Sequence, residues 1–273
     1  MARTMPPRPA RADVAASYDL GVDGYANVWS AVILPPAQAV VAALDIPRRA
    51  RVVDIGAGIG ALVPSVKAAA PDATVIALDA SSEMLRAARA QTDAVVAHTD
   101  ALALPVRDGA ADAVLLAFVL FHLSDPHQAV VEAARVLRAG GMVGTVTWAS
   151  ESPLPAYAVW DETLTAAGAG ALAARRVDTG LDTPDAITEL LAVGGFNEVR
   201  VWRETLHHQW TPDTYWKLAS GSGLNRLRLQ VLDDGTRADA LARARDRLSN
   251  LPPQDFEWSG EVICAVARCR SSV

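Results

Sequence analysis

Apolar runs and amphipathic helical stretches alternate along the chain between Arg51 and Trp148. The apolar runs predict strands at 51–55, 74–78, 94–98, 113–117 and 141–147. The stretches between them predict helices at 60–70, 82–91 and 127–138. Gly140–Gly141 suits a left-handed end for the last of these helices. Alternation of this kind is typical of βαβ units, so the pattern predicts a parallel sheet.

Polar residues that suit helix N-caps precede three of the predicted helices. Ser81 stands before the second helix, and Asp125, followed by Pro126, stands before the third. Thr183, again followed by a proline, precedes a further helix that we expect to end at Gly194–Gly195. These N-cap residues predict the first residue of each helix more precisely than the apolar pattern alone.

The pattern changes after Thr147. An Ala- and Gly-rich helical stretch runs to Ala174, and after the helix that follows Thr183 a strand is predicted at 198–206. A mainly helical insertion spans 211–253, and a last strand at 260–268 can pair antiparallel with its predecessor. We therefore divide the chain into an N-terminal helical cover and a main domain with two helical insertions. The ranges are 1–48 for the cover, 49–273 for the main domain, and about 150–182 and 209–255 for the insertions.

A glycine-rich turn, Asp54-Ile55-Gly56-Ala57-Gly58-Ile59-Gly60, follows the first apolar run. A chain that leaves a buried strand and brings its backbone against a ligand has little room for Cβ atoms, and these glycines lack them. Asp79 ends the second apolar run, where its carboxylate can accept hydrogen bonds from two ribose hydroxyls. Together the two features predict a nucleoside-cofactor site.

The turn alone does not identify the cofactor. Gly56-x-Gly58-x-x-Ala61 also fits the dinucleotide fingerprint, and Asp79 lies near the expected offset of about 20 residues. An NAD-linked oxidoreductase is therefore an alternative. Glycine-rich turns between a strand and a helix also occur without any ligand.

Composition narrows the class of protein. The chain has 273 residues, of which 51% are hydrophobic, which is enough for one large α/β domain with a helical addition. The net charge is −6 and no block of Lys and Arg stands out, so we expect neither nucleic acid nor an anionic membrane as a partner. The first eleven residues have no apolar stretch of the kind found in a signal peptide or membrane anchor. We expect a soluble cytoplasmic protein, for which a homodimer remains open.

Cysteines and histidines show neither disulfide nor metal-ligand spacing. Cys264 and Cys269 are five residues apart in a predicted strand, so they should lie on opposite faces and not form a disulfide. The carboxylates are scattered, and no metal site is predicted.

The N-terminal segment 12–44 is amphipathic and carries three aromatic residues at helical spacing. Tyr18, Tyr25 and Trp29 are seven and four residues apart, which places them on one side of a helix. Such a helix could cover the cofactor or the sheet edge, or its rings could simply pack it on the core.

With these residues, the chain resembles the class I S-adenosylmethionine-dependent methyltransferases, in the small-molecule group related to quinone-biosynthesis enzymes. The resemblance runs from about Tyr18 to Arg268. Beyond the turn and Asp79, it is carried by Thr99-Asp100-Ala101, Phe118-Val119-Leu120-Phe121-His122-Leu123 and Ala134-Arg135-Val136-Leu137-Arg138-Ala139-Gly140-Gly141. It implies a Rossmann-like, seven-stranded, mostly parallel sheet in the order 3-2-1-4-5-7-6 with one antiparallel strand, and S-adenosylmethionine as cofactor.

The resemblance also implies which residues surround the cofactor. These are Tyr18, Tyr25, Asp54, Gly56, Ala57, Gly58, Asp79, Ala80, Met84, Asp100, Ala101, Leu102 and Phe118. Asp79 would hold the ribose, Asp100 would accept the adenine amine, and Asp54 would stabilise the turn. Met84 and Phe118 could instead be core residues, and Asp100 a turn residue.

Methyl transfer from a sulfonium is an in-line displacement that depends mainly on positioning and on exclusion of water. If the acceptor is a hydroxyl or an amine, a histidine near it could take the proton, and His122 is our first candidate. Relatives commonly have two adjacent histidines where this chain has Phe121-His122, and His122 could instead shape its loop through backbone hydrogen bonds. His207 and His208 are weaker candidates, and we expect His98 and His127 to be structural or exposed.

The predicted function is methylation of the oxygen, nitrogen or carbon of a small molecule in a biosynthetic pathway. Aromatic residues in the predicted insertions favour a flat or hydrophobic acceptor; they are Trp160, Trp210, Tyr215 and Trp216. A methyltransferase-fold protein that binds the cofactor without transferring its methyl group is a further alternative.

Overall fold

A seven-stranded sheet forms the centre of the molecule, whose computed structural model describes residues 11–170 and 180–270. The strands are β1 (Arg51–Ile55), β2 (Thr74–Asp79), β3 (Val95–His98), β4 (Ala111–Ala117), β5 (Leu137–Glu151), β6 (Phe196–Gln209) and β7 (Glu257–Cys269). Their order is β3-β2-β1-β4-β5-β7-β6, and β7 is antiparallel to both of its neighbours. The predicted fold class and strand order are confirmed.

Ten α-helices flank this sheet within the described residues. They are α1 (Arg11–Gly24), α2 (Ser30–Ala43), α3 (Val63–Ala69), α4 (Ser82–Gln91), α5 (Pro126–Val136), α6 (Pro155–Ala166), α7 (Pro184–Val193), α8 (Pro212–Gly221), α9 (Gly223–Gln230) and α10 (Asp234–Ser249). Two predicted segments lie outside the described residues: the proline- and arginine-rich start of the chain, and the end of the Ala/Gly-rich stretch before Ala174.

The predicted N-caps are confirmed. The side chains of Ser81, Asp125 and Thr183 each accept a hydrogen bond from a backbone N–H in the first turn of α4, α5 and α7. Each cap supplies a local hydrogen bond that the sequence itself specifies, which explains why these starts could be placed accurately.

Two predicted helix boundaries were wrong because of glycines in left-handed conformations. The glycine turn extends through Gly60, with a φ of +76°, so α3 begins only at Val63. Helix α5 ends at Val136 without a glycine cap, and Leu137 is already extended. Gly140 (φ +73°) instead lies where the register between β4 and β5 shifts, so it forms a bulge inside β5.

Side chains from both faces of the sheet are buried. Val52 and Leu115 belong to the core on one face, and Val53 and Leu116 to the core on the other. Cys264 and Cys269 fall into different cores and are both free, so the prediction that they do not form a disulfide is confirmed.

The run Val14–Ala43 is long and apolar enough to cross a membrane by length and composition alone, with a mean hydropathy of 1.3 in its best window. The same test is also passed by core helices of soluble proteins. In this structure α2 packs on the sheet, since a Cβ at Gly144 of β5 would lie 2.5 Å from Val40. A π-helical turn, Tyr25–Trp29, joins α1 to α2.

Glycines allow α1 to contact α8 and α9 backbone to backbone. A Cβ on Gly223 would lie 1.4 Å from the carbonyl oxygen of Ser17, and one on Gly24 would lie 2.6 Å from the carbonyl group of Gly221. The N-terminal cover is therefore held against the helical insertion by a contact that tolerates no side chain.

We predict that Gly223→Ala displaces α1, because its Cβ would overlap the Ser17 backbone. Overpacking of this kind typically costs about 1–3 kcal/mol. Chemical unfolding should show that loss, and limited proteolysis should cleave the N-terminal segment faster. Gly235→Ala is the matched control, because its Cβ meets no atom closer than 3.4 Å. Equal stability and protection of the two variants would contradict the prediction.

Candidate functional site

A cavity of about 410 Å³ opens at the carboxyl edge of the parallel strands. This is the edge at which open α/β sheets bind ligands. Its wall combines the glycine turn, the ends of β2, β3 and β4, part of β5, and the N-terminal helices. The cavity therefore collects residues that are far apart in the sequence.

Ten of the thirteen residues implied to surround the cofactor line this cavity, and so does His122. The ten are Tyr18, Tyr25, Gly56, Gly58, Asp79, Ala80, Met84, Asp100, Ala101 and Phe118. The other three do not line it. Asp54 is buried within β1. The N–H of Ala57 donates to the carbonyl oxygen of Leu78, and the N–H of Leu102 donates to the carboxylate of Asp100. The cofactor contacts themselves stay predictions.

The glycine turn is tied to the end of β2 by its backbone. The N–H groups of Gly56 and Ala57 both donate to the carbonyl oxygen of Leu78, at 2.7 and 3.0 Å. Gly56 has a φ of +70°, and a Cβ there would lie 2.0 Å from a methyl group of Val119. A side chain at this position is therefore excluded by both conformation and space.

The carboxylate of Asp79 joins two elements of the site. It accepts hydrogen bonds from the N–H of Gly58 and from the N–H of Ser81, each at 2.8 Å. Each carboxylate oxygen has a second lone pair, so the group can still accept hydrogen bonds from a ligand. This geometry suits a carboxylate that holds two ribose hydroxyls.

Helix α1 is attached to the same region through Asp19. One oxygen of Asp19 accepts hydrogen bonds from the hydroxyl of Ser81, at 2.6 Å, and from the N–H of Glu83, at 3.1 Å. Ser81 itself accepts from the N–H of Met84. The cover and the start of α4 therefore share one hydrogen-bond network next to Asp79.

Two neighbouring carboxyl groups make this end of the cavity acidic. Burial, together with the nearby charge of Asp79, raises the pKa of Asp54 to about 7. Burial also raises the pKa of Asp79, although the hydrogen bonds from Ser81, Gly58 and Ala80 oppose this rise. No Lys or Arg belongs to the cavity wall among the described residues. A cationic ligand suits this site better than an anionic one.

The loop after β3 brings Asp100 and Ala101 to the cavity. The N–H of Leu102 donates to a carboxylate oxygen of Asp100 at 2.9 Å, so Asp100 both stabilises its own turn and lines the cavity. The expectation for His98 was incomplete: it is exposed, but it also lines the cavity and its ring hydrogen-bonds the carbonyl oxygen of Ala80 at 2.9 Å.

The continuation of this loop is held by Arg135 and Glu132. Arg135 donates to the carbonyl oxygens of Leu104 and Val106, at 3.0 and 2.8 Å, and to both oxygens of Glu132. Glu132 in turn accepts from the N–H of Leu104 at 2.7 Å, and the hydrogen bonds from Arg135 lower the pKa of Glu132. We call Arg135 and Glu132 the loop clamp. The sequence around Arg135 gives no sign of this role, because its partners lie about 30 positions away.

His122 and Tyr18 form a pair at the centre of the cavity. The hydroxyl of Tyr18 lies 2.9 Å from Nε2 of His122, which ends the short 3₁₀ turn Leu120–His122. Phe118, just before this turn, has a φ of +58°, which is uncommon for a residue with a side chain. Tyr25 lies beside Tyr18, with ring centroids 5.9 Å apart, and burial is the first cause that raises the pKa of Tyr25.

The aromatic residues chosen from the insertions do not line the cavity. Trp160, Trp210 and Tyr215 are buried in the core, and Trp216 packs against it. Trp29, Phe121 and Trp148 supply the aromatic wall together with Phe118 and the two tyrosines. The expectation failed because the aromatic content of a segment does not show whether its rings face the core or a ligand.

The other histidines are not part of the cavity wall. His208 packs on Trp210, with ring centroids 4.0 Å apart, and burial lowers the pKa of His208. His207 lies beside it on β6, and His127 is exposed on α5. Among the described residues, no group of three or more His, Cys, Asp or Glu side chains could hold a metal ion.

The raised pKa of Asp54 predicts a stability that changes with pH. The pKa is about 7 in the folded protein against an ordinary value of 3.8, so between these values the folded protein binds more protons than the unfolded chain. The free energy of unfolding should therefore fall as pH rises from about 4 to about 7, and then level off. Urea unfolding should show this fall, and Asp54→Asn should reduce it.

Asp93→Asn is the control for this experiment. The hydrogen bond from Lys67 lowers the pKa of Asp93, so its titration lies below the range in which Asp54 titrates. This variant should keep the native pH dependence. If Asp54→Asn also keeps it, the assignment to Asp54 is wrong.

Comparisons with known proteins agree with this geometry. Residues 53–144 match the family model described as a methyltransferase domain. A search of curated proteins finds no match. Solved structures with a similar fold include a Thermotoga maritima S-adenosylmethionine-dependent methyltransferase, with 20% identity, a TM-score of 0.56, and coverage of 93% of this chain and 98% of that one.

Two further solved structures share the fold. The [4+2]-cyclase SpnF has 18% identity and a TM-score of 0.56, with 98% of this chain and 100% of that chain covered. Haemonchus contortus phosphoethanolamine N-methyltransferase 2, solved with S-adenosylhomocysteine, has 16% identity and a TM-score of 0.55, with 98% of this chain and 61% of that chain covered. The chain therefore carries a methyltransferase domain at residues 53–144 and has the Rossmann-like fold of these S-adenosylmethionine-dependent methyltransferases.

Proposed function

We propose that this enzyme transfers the methyl group of S-adenosylmethionine to an oxygen, nitrogen or carbon atom of a small hydrophobic or aromatic metabolite in a biosynthetic pathway. One observation carries the proposal: a single cavity joins the acidic glycine turn to the Tyr18–His122 pair and an aromatic wall. Cofactor and acceptor can therefore meet in one enclosed space. We further infer a soluble cytoplasmic enzyme.

The charges of the cavity support the cofactor. When bound, S-adenosylmethionine supplies an electrophilic methyl group on a positively charged sulfur. The charge of Asp79 disfavours the ionised form of Asp54, and a cation nearby would relieve that repulsion. The pyrophosphate of NAD would instead meet these carboxyl groups with no Lys or Arg on the described cavity wall. The same argument disfavours the oxidoreductase alternative.

His122 is proposed to take the proton from an acceptor hydroxyl or amine. A neutral imidazole can accept a proton at Nε2, and the hydroxyl of Tyr18 lies within hydrogen-bond distance of that atom. Tyr18 can therefore orient the ring, or pass the proton between acceptor and imidazole. Because α1 provides Tyr18, this pair exists only while α1 lies over the cavity.

A cofactor-dependent reaction without methyl transfer is the second candidate. The fold is shared with a [4+2]-cyclase, and an apolar cavity would suit such a reaction as well. Incubation with methyl-labelled S-adenosylmethionine and a panel of phenols, amines and enols distinguishes the two. A labelled product supports methyl transfer, whereas tight cofactor binding with no labelled product across the panel supports the second candidate.

We predict that His122→Ala slows methylation of a hydroxyl acceptor by about 10²–10⁴-fold, the usual contribution of a general base. Tyr18→Phe should slow it less, because the imidazole remains. Binding of S-adenosylhomocysteine to His122→Ala, measured by calorimetry, should stay close to that of the native protein. His127→Ala is the control, since His127 is exposed on α5. Unchanged turnover in His122→Ala would rule out the proposed proton acceptor.

For the ribose and adenine contacts, we predict that Asp79→Ala and Asp100→Ala each weaken binding of S-adenosylhomocysteine while the protein stays folded. The reason is the loss of a hydrogen-bond acceptor for each part of the nucleoside. Calorimetric titration measures the affinity, and circular dichroism checks the fold. Unchanged affinity in both variants would refute the assignment.

The loop clamp generates a separate prediction. Arg135→Lys keeps the charge but loses the bidentate contact to Glu132, so the loop that carries Asp100 should become less ordered. We expect S-adenosylhomocysteine to bind about tenfold more weakly, or about 1.4 kcal/mol. Arg138→Lys is the control, because Arg138 pairs with Asp112 outside the cavity. Equal affinities for the two variants would show that the clamp does not affect the cofactor.

A further inference from the structure

Four tryptophans pack together at one end of the cavity. Trp29, in the π-helical turn, lies 6.2 Å from Trp148 and 6.2 Å from Trp210 with nearly parallel rings, and 5.4 Å from Trp258 with a steep angle. We call these four residues the tryptophan cluster. A Cβ at Gly260 would lie 2.7 Å from both Trp148 and Trp258, so the cluster is closely packed.

Only part of this cluster faces the cavity. Trp29 and Trp148 line it, whereas Trp210 and Trp258 are buried behind them. Phe118 extends the wall, with its ring centroid 5.1 Å from that of Trp148. The two tryptophans behind therefore support the two that line the cavity, and the wall has little freedom to rearrange.

The strand order separates this wall from the acidic end. Asp79 ends β2, the glycine turn follows β1, Phe118 follows β4, and Trp148 lies in β5. Since β2 and β5 are three strand positions apart in the sheet, they are about 14 Å apart. The Tyr18–His122 pair lies between them, because its 3₁₀ turn follows β4. Cofactor side, proton acceptor and tryptophan wall thus follow one another along the sheet edge.

The tryptophan wall offers no partner for a charged ligand. The acidic side chains of the described cavity wall, Asp79 and Asp100, belong to β2 and the loop after β3, and no Lys or Arg lines it. An anionic acceptor would be desolvated there without a counter-charge. Trp29 is also stacked against Trp148 and Trp210, so its ring faces are turned toward other indoles. A cation binds over the face of an aromatic ring, and these faces are therefore less accessible to it.

We propose that Trp29 and Trp148 seat an uncharged, planar aromatic acceptor whose nucleophilic atom lies next to the Tyr18–His122 pair. This rests on the proposed function, because it names the acceptor class for the same cavity. An aromatic ring offers large contact area and edge-to-face contacts to the indoles. The same wall should bind substrates with a phosphate or an ammonium group more weakly.

The test measures binding in the S-adenosylhomocysteine complex, so it does not depend on turnover. The probes are 2-naphthol, phenyl phosphate and 2-phenylethylamine, followed by calorimetry and by tryptophan fluorescence. We expect 2-naphthol to bind at least about tenfold more tightly than either charged probe, a difference of about 1.4 kcal/mol, and to quench the fluorescence. Equal or tighter binding of a charged probe would overturn the proposal.

Variants of the wall locate the seat. Trp148→Leu and Trp29→Leu should each weaken 2-naphthol at least about tenfold while affinity for S-adenosylhomocysteine changes little. Trp148→Phe, which keeps a ring, should recover part of the affinity. Trp202→Leu is the matched control, because Trp202 lies on β6 away from the cavity wall. If both leucine variants bind 2-naphthol as tightly as the native protein does, the acceptor does not bind at Trp29 and Trp148.

A blocking variant covers the case in which loss of an indole unfolds the protein. Ile33, one helical turn after Trp29, also lines the cavity, so Ile33→Phe should fill the seat without removing the cluster. This variant should weaken the binding of 2-naphthol and leave the binding of S-adenosylhomocysteine unchanged.

Different results would contradict the proposed function and the proposed acceptor seat. Binding of 2-naphthol without any methylated product refutes methyl transfer and keeps the seat, whereas methylation of amines with no naphthol binding refutes the seat alone.

Discussion

The carboxylate of Asp79 is the constraint on which the arrangement of the site depends. It holds the N–H of Gly58 on one side and the N–H of Ser81 on the other, so the glycine turn and the start of α4 are fixed relative to each other. Ser81 then binds Asp19, which attaches α1 to the same point. A single acid at the end of β2 thereby determines where the turn, the helix start and the cover meet.

The order of the strands arranges the residues of the site along one edge of the sheet. β1 lies between β2 and β4, so the acidic residue, the glycine turn and the loop with His122 come in sequence along one edge. β5 continues the series with Trp148. The antiparallel β7 pairs with β5 from Met142 to Glu151 and places Gly260 next to the indoles of Trp148 and Trp258. The strand order alone therefore places the polar and apolar ends of the cavity at different positions along the sheet edge.

Features that depend on local chemistry could be predicted from the sequence. The N-caps at Ser81, Asp125 and Thr183 and the first strands follow from residue types within a few positions of each other. The family resemblance supplied the strand order, which no local pattern specifies. Gly140 shows the limit of local signals, because a left-handed glycine suits a helix end and a strand bulge equally well.

The parts of the site that escaped prediction depend on contacts between distant residues. Trp29 and Trp148 are 119 positions apart, and nothing in either neighbourhood shows that their rings meet. Arg135 reaches back to the loop near Leu104 by the same kind of contact. Conversely, Trp160 lies in a predicted helical insertion, where we expected it near the acceptor, but it is fully buried in the core. Helical periodicity shows which side of a helix is apolar, and only the packed fold shows what that side meets.

The distribution of charge in the cavity gives these separate observations one physical meaning. Asp54 is buried next to Asp79, and burial together with the charge of Asp79 opposes ionisation of Asp54. A ligand that brings its own positive charge relieves this repulsion, so the chain needs no basic residue to bind its cofactor. At the other end of the cavity, the indoles offer apolar contact surface without charge. Loss of hydration is therefore the main free-energy cost when an acceptor binds there. An acceptor that is neutral when it binds avoids that cost. In the reaction proposed above, its proton would leave for His122 while its oxygen bonds to the methyl carbon and the carbon–sulfur bond breaks, so the methylated product is neutral again.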